Sequence, residues 1–155
     1  MILPAETAFM DQQRAWLRDT VRRCGVALTY VSDDECECCR AVPQSRAAQR
    51  ADGTKQKASE RFGYTTGLHG IGHPELVLFG LDRLPTSGLL NGLAHEVFHG
   101  EVFMPGEVRR FDELDVTFRV EEMRNPRAHV VAANAFYEMP RGSSVRAFTV
   151  RPLAV

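Results

Sequence analysis

The chain has 155 residues, of which 44% are hydrophobic and 25% are charged, and its formal net charge is −1. Such a length fits one domain, which buries roughly 70% of the surface that its unfolded chain exposes. The near-neutral charge excludes a general attraction to nucleic acid or anionic membranes, and no apolar run approaches the roughly 20 residues that cross a bilayer. We therefore predict a single domain over residues 1–155 with no nucleic-acid or membrane partner.

The cysteines and the N-terminus indicate a cytoplasmic protein. Three of the four cysteines fall together, at Cys36, Cys38 and Cys39. Disulfide frameworks spread their cysteines along the chain to join distant segments, so this cluster favours reduced thiols. The first residues also lack the basic and apolar regions of a secretory signal.

The first part of the chain predicts a helix, a strand and a long loop. Residues 5–23 show apolar spacing typical of an amphipathic helix, with Trp16 expected as a core contact. Residues 26–31 are β-branched and aromatic, which favours a strand. Residues 32–61 are polar, contain the three clustered cysteines and show no apolar periodicity. Loops of this length are usually functional or disordered.

The central part of the chain predicts two neighbouring strands, over residues 62–68 and 75–81. The link between them is rich in glycine and also contains two histidines and a proline. Two apolar runs joined in this way are typical of a hairpin or of adjacent strands. The glycines indicate that the backbone closely approaches either another strand or a ligand.

The remaining chain predicts further helices and strands. A helix over 86–99 would begin at Thr86 or Ser87 and end at Gly100. Residues 115–120 alternate like a half-buried strand. A third helix is predicted over 126–138, with Pro126 suited to its first turn, and a last strand over 144–150. Adjacent strand pairs favour an α+β domain, with a mainly antiparallel sheet and about three flanking helices.

Several residues of the central segment also carry a family resemblance. They form an F-x-Y-T-x-G-L run, a G-H-P-E-L run and later matches, namely Phe62, Tyr64, Thr65, Gly67, Leu68, Gly72, His73, Pro74, Glu75, Leu76, Gly80, Leu81, Leu90, Asn91, Gly100 and Gly106. Over roughly residues 21–150 the chain resembles the bacterial domain-of-unknown-function family numbered 4262. The resemblance implies a small, soluble bacterial domain and no particular reaction.

The central segment offers a polar candidate site. Tyr64 and Thr66 share one strand face because side chains alternate along a strand. His73 and Glu75 flank a proline, and a histidine beside a carboxylate can transfer protons or orient a ligand. Equally, His73 could bond a backbone carbonyl and fix the turn. We predict a ligand-binding site formed by Tyr64, Thr66, His73 and Glu75.

The predicted second helix carries an H-E-x-x-H match. His95 and His99 would share one helix face and bind zinc, with Glu96 activating a water molecule as the catalytic base. The histidines lie nearly opposite the apolar stripe, however, and no usual spacing supplies the third protein ligand that catalytic zinc needs. The sequence favours two solvated histidines over a zinc hydrolase.

The clustered thiols provide a second candidate metal site. Cys36, Cys38 and Cys39 are soft ligands of the kind that zinc prefers, but a C-x-C-C run lacks the paired spacing of a zinc ribbon. The sequence thus predicts a small-molecule- or partner-binding domain, with a zinc hydrolase and a thiol–metal module as alternatives. Zinc is the cofactor that these alternatives would require, and neither a ligand nor an oligomeric state follows from the residues.

Overall fold

The computed structural model describes residues 4–32 and 61–153. Within these ranges the chain forms three α-helices and a six-stranded sheet. The helices are α1 (Pro4–Cys24), α2 (Arg83–Phe98) and α3 (Val131–Phe136). The strands are β1 (Ala27–Val31), β2 (Phe62–Thr66), β3 (Glu75–Phe79), β4 (Val108–Phe111), β5 (Val116–Glu122) and β6 (Ala147–Pro152). None of the helices in these ranges has the length and apolar character needed to span a membrane.

The sheet has the strand order β1-β2-β3-β6-β5-β4. All neighbouring pairs are antiparallel except β3 and β6, which run parallel. The predicted α+β fold with a mainly antiparallel sheet is therefore confirmed. In the parallel pair Glu75 lies opposite Ala147, so both strands begin at the same edge of the sheet. This edge carries the candidate site.

One face of the sheet is covered by α2. The predicted apolar stripe of this helix is buried, and it packs with β-strand leucines, valines and phenylalanines into the larger core. The helix approaches β2 so closely that a Cβ on Gly63 would lie 2.5 Å from Cγ2 of Thr86. A glycine at this strand position thus permits the close packing of helix on sheet.

The opposite face of the sheet is covered by α3. Phe62, Tyr64 and Val77 project to this side, where they form a second core with α3 and the segment before β6. The long helix α1 lies at the β1 end of the sheet, where it contacts β1 and α3. The sheet consequently has an apolar layer on each face.

One glycine of the link closely approaches the backbone of a neighbouring segment. Gly67 has a φ of +135°, a conformation that side chains rarely allow, and a Cβ there would lie 2.3 Å from the carbonyl oxygen of Gly25. The start of β1 therefore packs directly on the end of β2. Close approach to a neighbouring strand, one of the two roles that the sequence indicated for the glycines, is present at Gly67.

Some predicted details are wrong. α2 begins at Arg83, so Thr86 and Ser87 do not cap it, and the hydroxyl of Thr86 instead donates to the carbonyl of Leu81 at 3.2 Å. Pro85 fits the first turn because the amides there have no helical partner. Trp16 is 49% exposed and is not a core contact, whereas the adjacent Leu17 is buried.

The predicted helix over 126–138 is interrupted. A 3-10 turn at Pro126–Ala128 is followed by non-helical backbone at Val130, and only Val131–Phe136 is α-helical. The hydroxyl of Tyr64 accepts a hydrogen bond of 2.9 Å from the amide of Ala132. This contact and the burial of Val130 in the second core determine where the α-helix begins after the interruption. The last strand is also displaced, to Ala147–Pro152.

Two glycines one turn apart in α2 provide a matched test of this packing. A Cβ on Gly92 would lie 2.2 Å from Cζ of the buried Phe111, whereas one on Gly88 would meet only the end of Leu114 at 3.4 Å. We expect Gly88→Ala to stabilise the protein by about 0.4–1 kcal/mol through helix propensity. Gly92→Ala should destabilise it by about 1–3 kcal/mol because the ring must move. Urea unfolding measures the change in unfolding free energy of each variant. An equal gain in stability in the two variants would contradict the packing of Phe111 on α2.

Candidate functional site

The carboxylate of Glu75 organises the connection between β2 and β3. It is fully buried and accepts four hydrogen bonds. Oε1 accepts from the hydroxyl of Thr65 at 2.7 Å and the amide of Leu68 at 3.1 Å, and Oε2 accepts from the amides of Gly67 at 3.0 Å and His69 at 3.2 Å. Three successive amides of the link thus share one carboxylate, whose lone pairs are all in use.

The hydroxyl of Thr65 has a defined role in this network. It accepts a hydrogen bond of 2.9 Å from the amide of Leu76, so its own proton is free to be donated to Glu75. Burial raises the pKa of the Glu75 carboxyl above its usual value, and the four hydrogen bonds lower it in part. Because all four partners are donors, the geometry suits the carboxylate.

His73 joins two separate segments of the chain. The amide of Phe103 donates to Nε2 at 3.1 Å, so this nitrogen is unprotonated and Nδ1 carries the proton. Nδ1 lies 2.7 Å from the carbonyl oxygen of Pro74, to which it donates. Burial lowers the pKa of His73 below its ordinary value of 6.5. The turn-fixing contact that the sequence offered as an alternative role for His73 is therefore present.

Tyr64 and Thr66 are buried beside these groups. The hydroxyl of Tyr64 bonds the amide of Ala132, and burial raises its pKa. The hydroxyl of Thr66 has no hydrogen-bond partner among the residues that the structure describes. Tyr64 and Thr66 thus lie behind the surface, and neither they nor Glu75 line the cleft described below.

Tyr137 is a contributor that the sequence analysis missed. Its hydroxyl accepts a hydrogen bond of 3.1 Å from the amide of Gly70, and its ring packs edge-on against His69 with a centroid distance of 4.6 Å. Burial, together with the charge of Glu75, raises its pKa to about 12. Tyr137 therefore holds the outer side of the same link. No local pattern signals this role because the contact joins residues distant in sequence.

A cleft of about 400 Å³ lies beside His73. Its walls come from the turn before β3 (71–74), from residues 100–105 after α2, and from Arg146 and Phe148 at the start of β6. The rings of Phe103 and Phe148 both contact His73 edge-on, with centroid distances of 5.9 Å. The imidazole and both rings are almost fully buried, so together they form the floor of the cleft.

Two side chains of opposite charge line this cleft. The guanidinium of Arg146 lies over the ring of Phe148 and is bonded to Glu122. The carboxylate of Glu101 is paired with Arg109 at 2.9 Å. Neither charged residue was singled out by the sequence, because β6 and the segment after α2 are brought to this edge only by the tertiary fold.

The two histidines of the H-E-x-x-H match lie on the exposed face of α2, as the apolar stripe predicted. The ring centroids of His95 and His99 are 4.3 Å apart. Within residues 4–32 and 61–153, no group of three histidine, cysteine or acidic side chains is arranged to hold a metal ion. The pair therefore lacks the third ligand of a catalytic zinc site in this part of the chain. Burial raises the pKa of Glu96, with the charge of Glu101 as a further cause.

The candidate thiol site cannot be placed in the fold. Cys36, Cys38 and Cys39 lie outside the described residues, as does nearly all of the loop predicted over 32–61. The fourth cysteine, Cys24, is an exposed free thiol at the end of α1. The thiol–metal hypothesis therefore stays a prediction.

The fold and the site together define an α+β domain with a mixed six-stranded sheet and an apolar cleft at the edge where its two parallel strands begin. The chain belongs to the family defined by the domain of unknown function DUF4262, whose model matches residues 20–150. This result confirms the resemblance carried by the central segment. No curated protein and no solved structure matches the chain.

The Glu75 network predicts a strong response to a minimal substitution. Glu75→Gln replaces one acceptor oxygen with a donor that faces other donors, and we expect a loss of about 2–3 kcal/mol in unfolding free energy. The control, Glu122→Gln, changes an exposed carboxylate paired with Arg146 and should cost less than about 1 kcal/mol. Urea denaturation measures the unfolding free energy of both variants and of the wild type. Similar losses would show that Glu75 does not hold the link as described.

The lowered pKa of His73 predicts a pH-dependent stability. Between the two pKa values the unfolded chain binds more protons than the folded chain, so unfolding free energy rises with pH there. The contribution is complete above pH 6.5 and is lost as the pH falls toward the lower folded pKa. Each unit of pKa depression corresponds to about 1.4 kcal/mol.

Unfolding free energies at about pH 8 and about pH 5.5 test this linkage. We expect the difference between the two values to be smaller in His73→Gln than in the wild type. His95→Gln, at an exposed position, should retain the wild-type difference. A wild-type difference that persists in His73→Gln would mean that another group is responsible.

Proposed function

We propose that the protein is a small-molecule-binding domain and that its ligand site is the cleft beside His73. The observation that carries the proposal is the cleft itself, with a volume of about 400 Å³ and a mostly apolar lining that includes a few polar groups. Sites for small molecules are concave and mainly apolar, and a small number of convergent polar groups orient the ligand.

The rim of the cleft supports this proposal. Ile71, Val102 and Met104 line the cleft and are 53%, 57% and 55% exposed. Large apolar side chains that cluster at the mouth of a concavity are typical of surfaces covered by a ligand or partner. An entering apolar group would remove part of this surface from water, which is favourable by about 25 cal/mol per Å².

The residues predicted from the sequence take different parts in the proposed site. His73 lines the cleft, whereas Tyr64, Thr66 and Glu75 are buried and do not line it. Of these three, Glu75 is the one whose side chain bonds the link. Because the ring nitrogens of His73 already bond Pro74 and Phe103, its part is to shape the wall rather than to exchange protons. We also propose that the protein is cytoplasmic, because its clustered cysteines favour reduced thiols.

Filling the mouth of the cleft should abolish binding. We expect small fragments with one aromatic or branched aliphatic group to shift the amide NMR signals of Gly72, Phe103 and Phe148. In Val102→Trp the new side chain occupies the entrance, so these shifts should disappear. Val131→Trp is the control, since Val131 is similarly exposed but lies on α3 and does not line the cleft.

Two outcomes of this fragment-binding experiment would contradict the proposal. Fragments that bind Val102→Trp and Val131→Trp equally well would place the site elsewhere. A library that leaves the cleft signals unchanged in the wild type would also contradict the proposal. Circular dichroism of both variants establishes that each one is folded before it is screened.

A further inference from the structure

We propose that His95 and His99 of α2 bind a zinc ion that is shared between two copies of the chain. Each copy supplies two imidazole ligands, so two copies related by a twofold axis complete a tetrahedral site. The shared site is distinct from the cleft and from a zinc hydrolase, because four protein ligands leave the ion no open position for a water molecule.

The two imidazoles have the spacing of a chelating pair. Their ring centroids are 4.3 Å apart, and both side chains are exposed on the same face of α2. Two imidazoles on one tetrahedral zinc ion, with zinc–nitrogen distances of about 2.0–2.1 Å, have centroids about 5 Å apart. Small rotations of the exposed rings cover this difference, so both rings can reach one ion.

The two imidazoles are available as ligands, and their backbone is held in place. No side-chain hydrogen bond engages His95 or His99 within the described residues, whereas both ring nitrogens of His73 are bonded. The amide of His99 donates to the carbonyl of His95 at 3.1 Å, and the apolar stripe of α2 is buried against the sheet. Ligands on a rigid element are positioned before the metal binds, which favours binding.

One copy of the chain does not complete the coordination of zinc. Zinc held by protein ligands alone is four-coordinate and tetrahedral. In the part of the chain that the structure describes, no third histidine, cysteine or acidic side chain is arranged with the pair to hold a metal ion. A second copy supplies two further imidazoles, and a twofold axis through the ion makes the two contributions identical.

The surface around the pair favours a cation and disfavours a metal-free contact between copies. The charges of Glu101 and Glu113 act on the carboxylate of Glu96, which also interacts with His95. Arg109 belongs to the same cluster and is paired with Glu101. Acidic surroundings attract zinc, whereas two acidic surfaces repel each other across a twofold axis. Association of the copies at this surface therefore depends on zinc.

Analytical ultracentrifugation and calorimetry with zinc chloride test the proposal. We expect zinc to double the mass of the wild type relative to its mass in EDTA, and binding to saturate at one ion for each pair of chains. His95→Gln and His99→Gln should each abolish the doubling, because each removes one ligand from both copies. His69→Gln changes an exposed histidine of the link and is the control, which should retain the doubling.

A second measurement separates imidazole ligands from thiols, which also bind zinc. In a variant in which all four cysteines are serine, zinc should still double the mass. Cobalt in place of zinc should give this variant the visible absorption of a tetrahedral site without the near-ultraviolet absorption of cobalt–thiolate bonds. His99→Gln in the same background should remove the visible bands.

Three kinds of outcome would overturn the shared site. Zinc that binds as one ion per chain without a change in mass would show that the ion is not shared. Mass doubling that persists in His95→Gln, or that is lost when the cysteines are replaced, would assign the ion to other ligands. A wild type that binds no zinc would exclude the site. None of these results bears on the cleft, which the fragment experiment tests separately.

Discussion

The structure depends on how the backbone amides of the link after β2 are satisfied. The link turns away from the sheet at Gly67, so its next amides have no strand partner, and leaving a buried amide unpaired costs about 1–3 kcal/mol. Glu75 accepts from three of them and from Thr65, which in turn accepts from Leu76. One buried carboxylate at the first residue of β3 thereby fixes the backbone of the connection, while Leu68 of the same link is buried in the larger core.

The cleft follows from that fixed connection. Once the link is held, His73 projects toward the segment after α2 and accepts the amide of Phe103. The parallel pairing of β3 with β6 brings Phe148 and Arg146 to the same edge. The concavity is thus formed by three segments that are distant in sequence, and its floor is a neutral imidazole whose two nitrogens are both engaged. The proposed ligand site is thus formed by the fold itself, and a preformed site loses less entropy on binding.

The sequence predicts the parts of the structure that depend on local patterns. Alternation and turn residues give the β2–β3 pair, and helical spacing gives the stripe of α2 and the exposed position of His95 and His99. The nearness of His73 and Glu75 along the chain is also local, but their side chains bond different partners, which depends on the tertiary fold. Insertion of β6 between β3 and β5 is not visible locally, so neither the cleft nor Arg146 could be predicted. The role of Gly67 likewise depends on a strand that lies far from it in sequence.

The tautomer of His73 tests the central claim, that a neutral histidine joins the link to the segment after α2 and so forms the floor of the cleft. Long-range proton–nitrogen NMR of the imidazole at neutral pH distinguishes the two ring nitrogens directly. We predict a protonated Nδ1, an unprotonated Nε2, and a coupling across the hydrogen bond from the Phe103 amide. A proton on Nε2, or a charged imidazolium, would contradict the account.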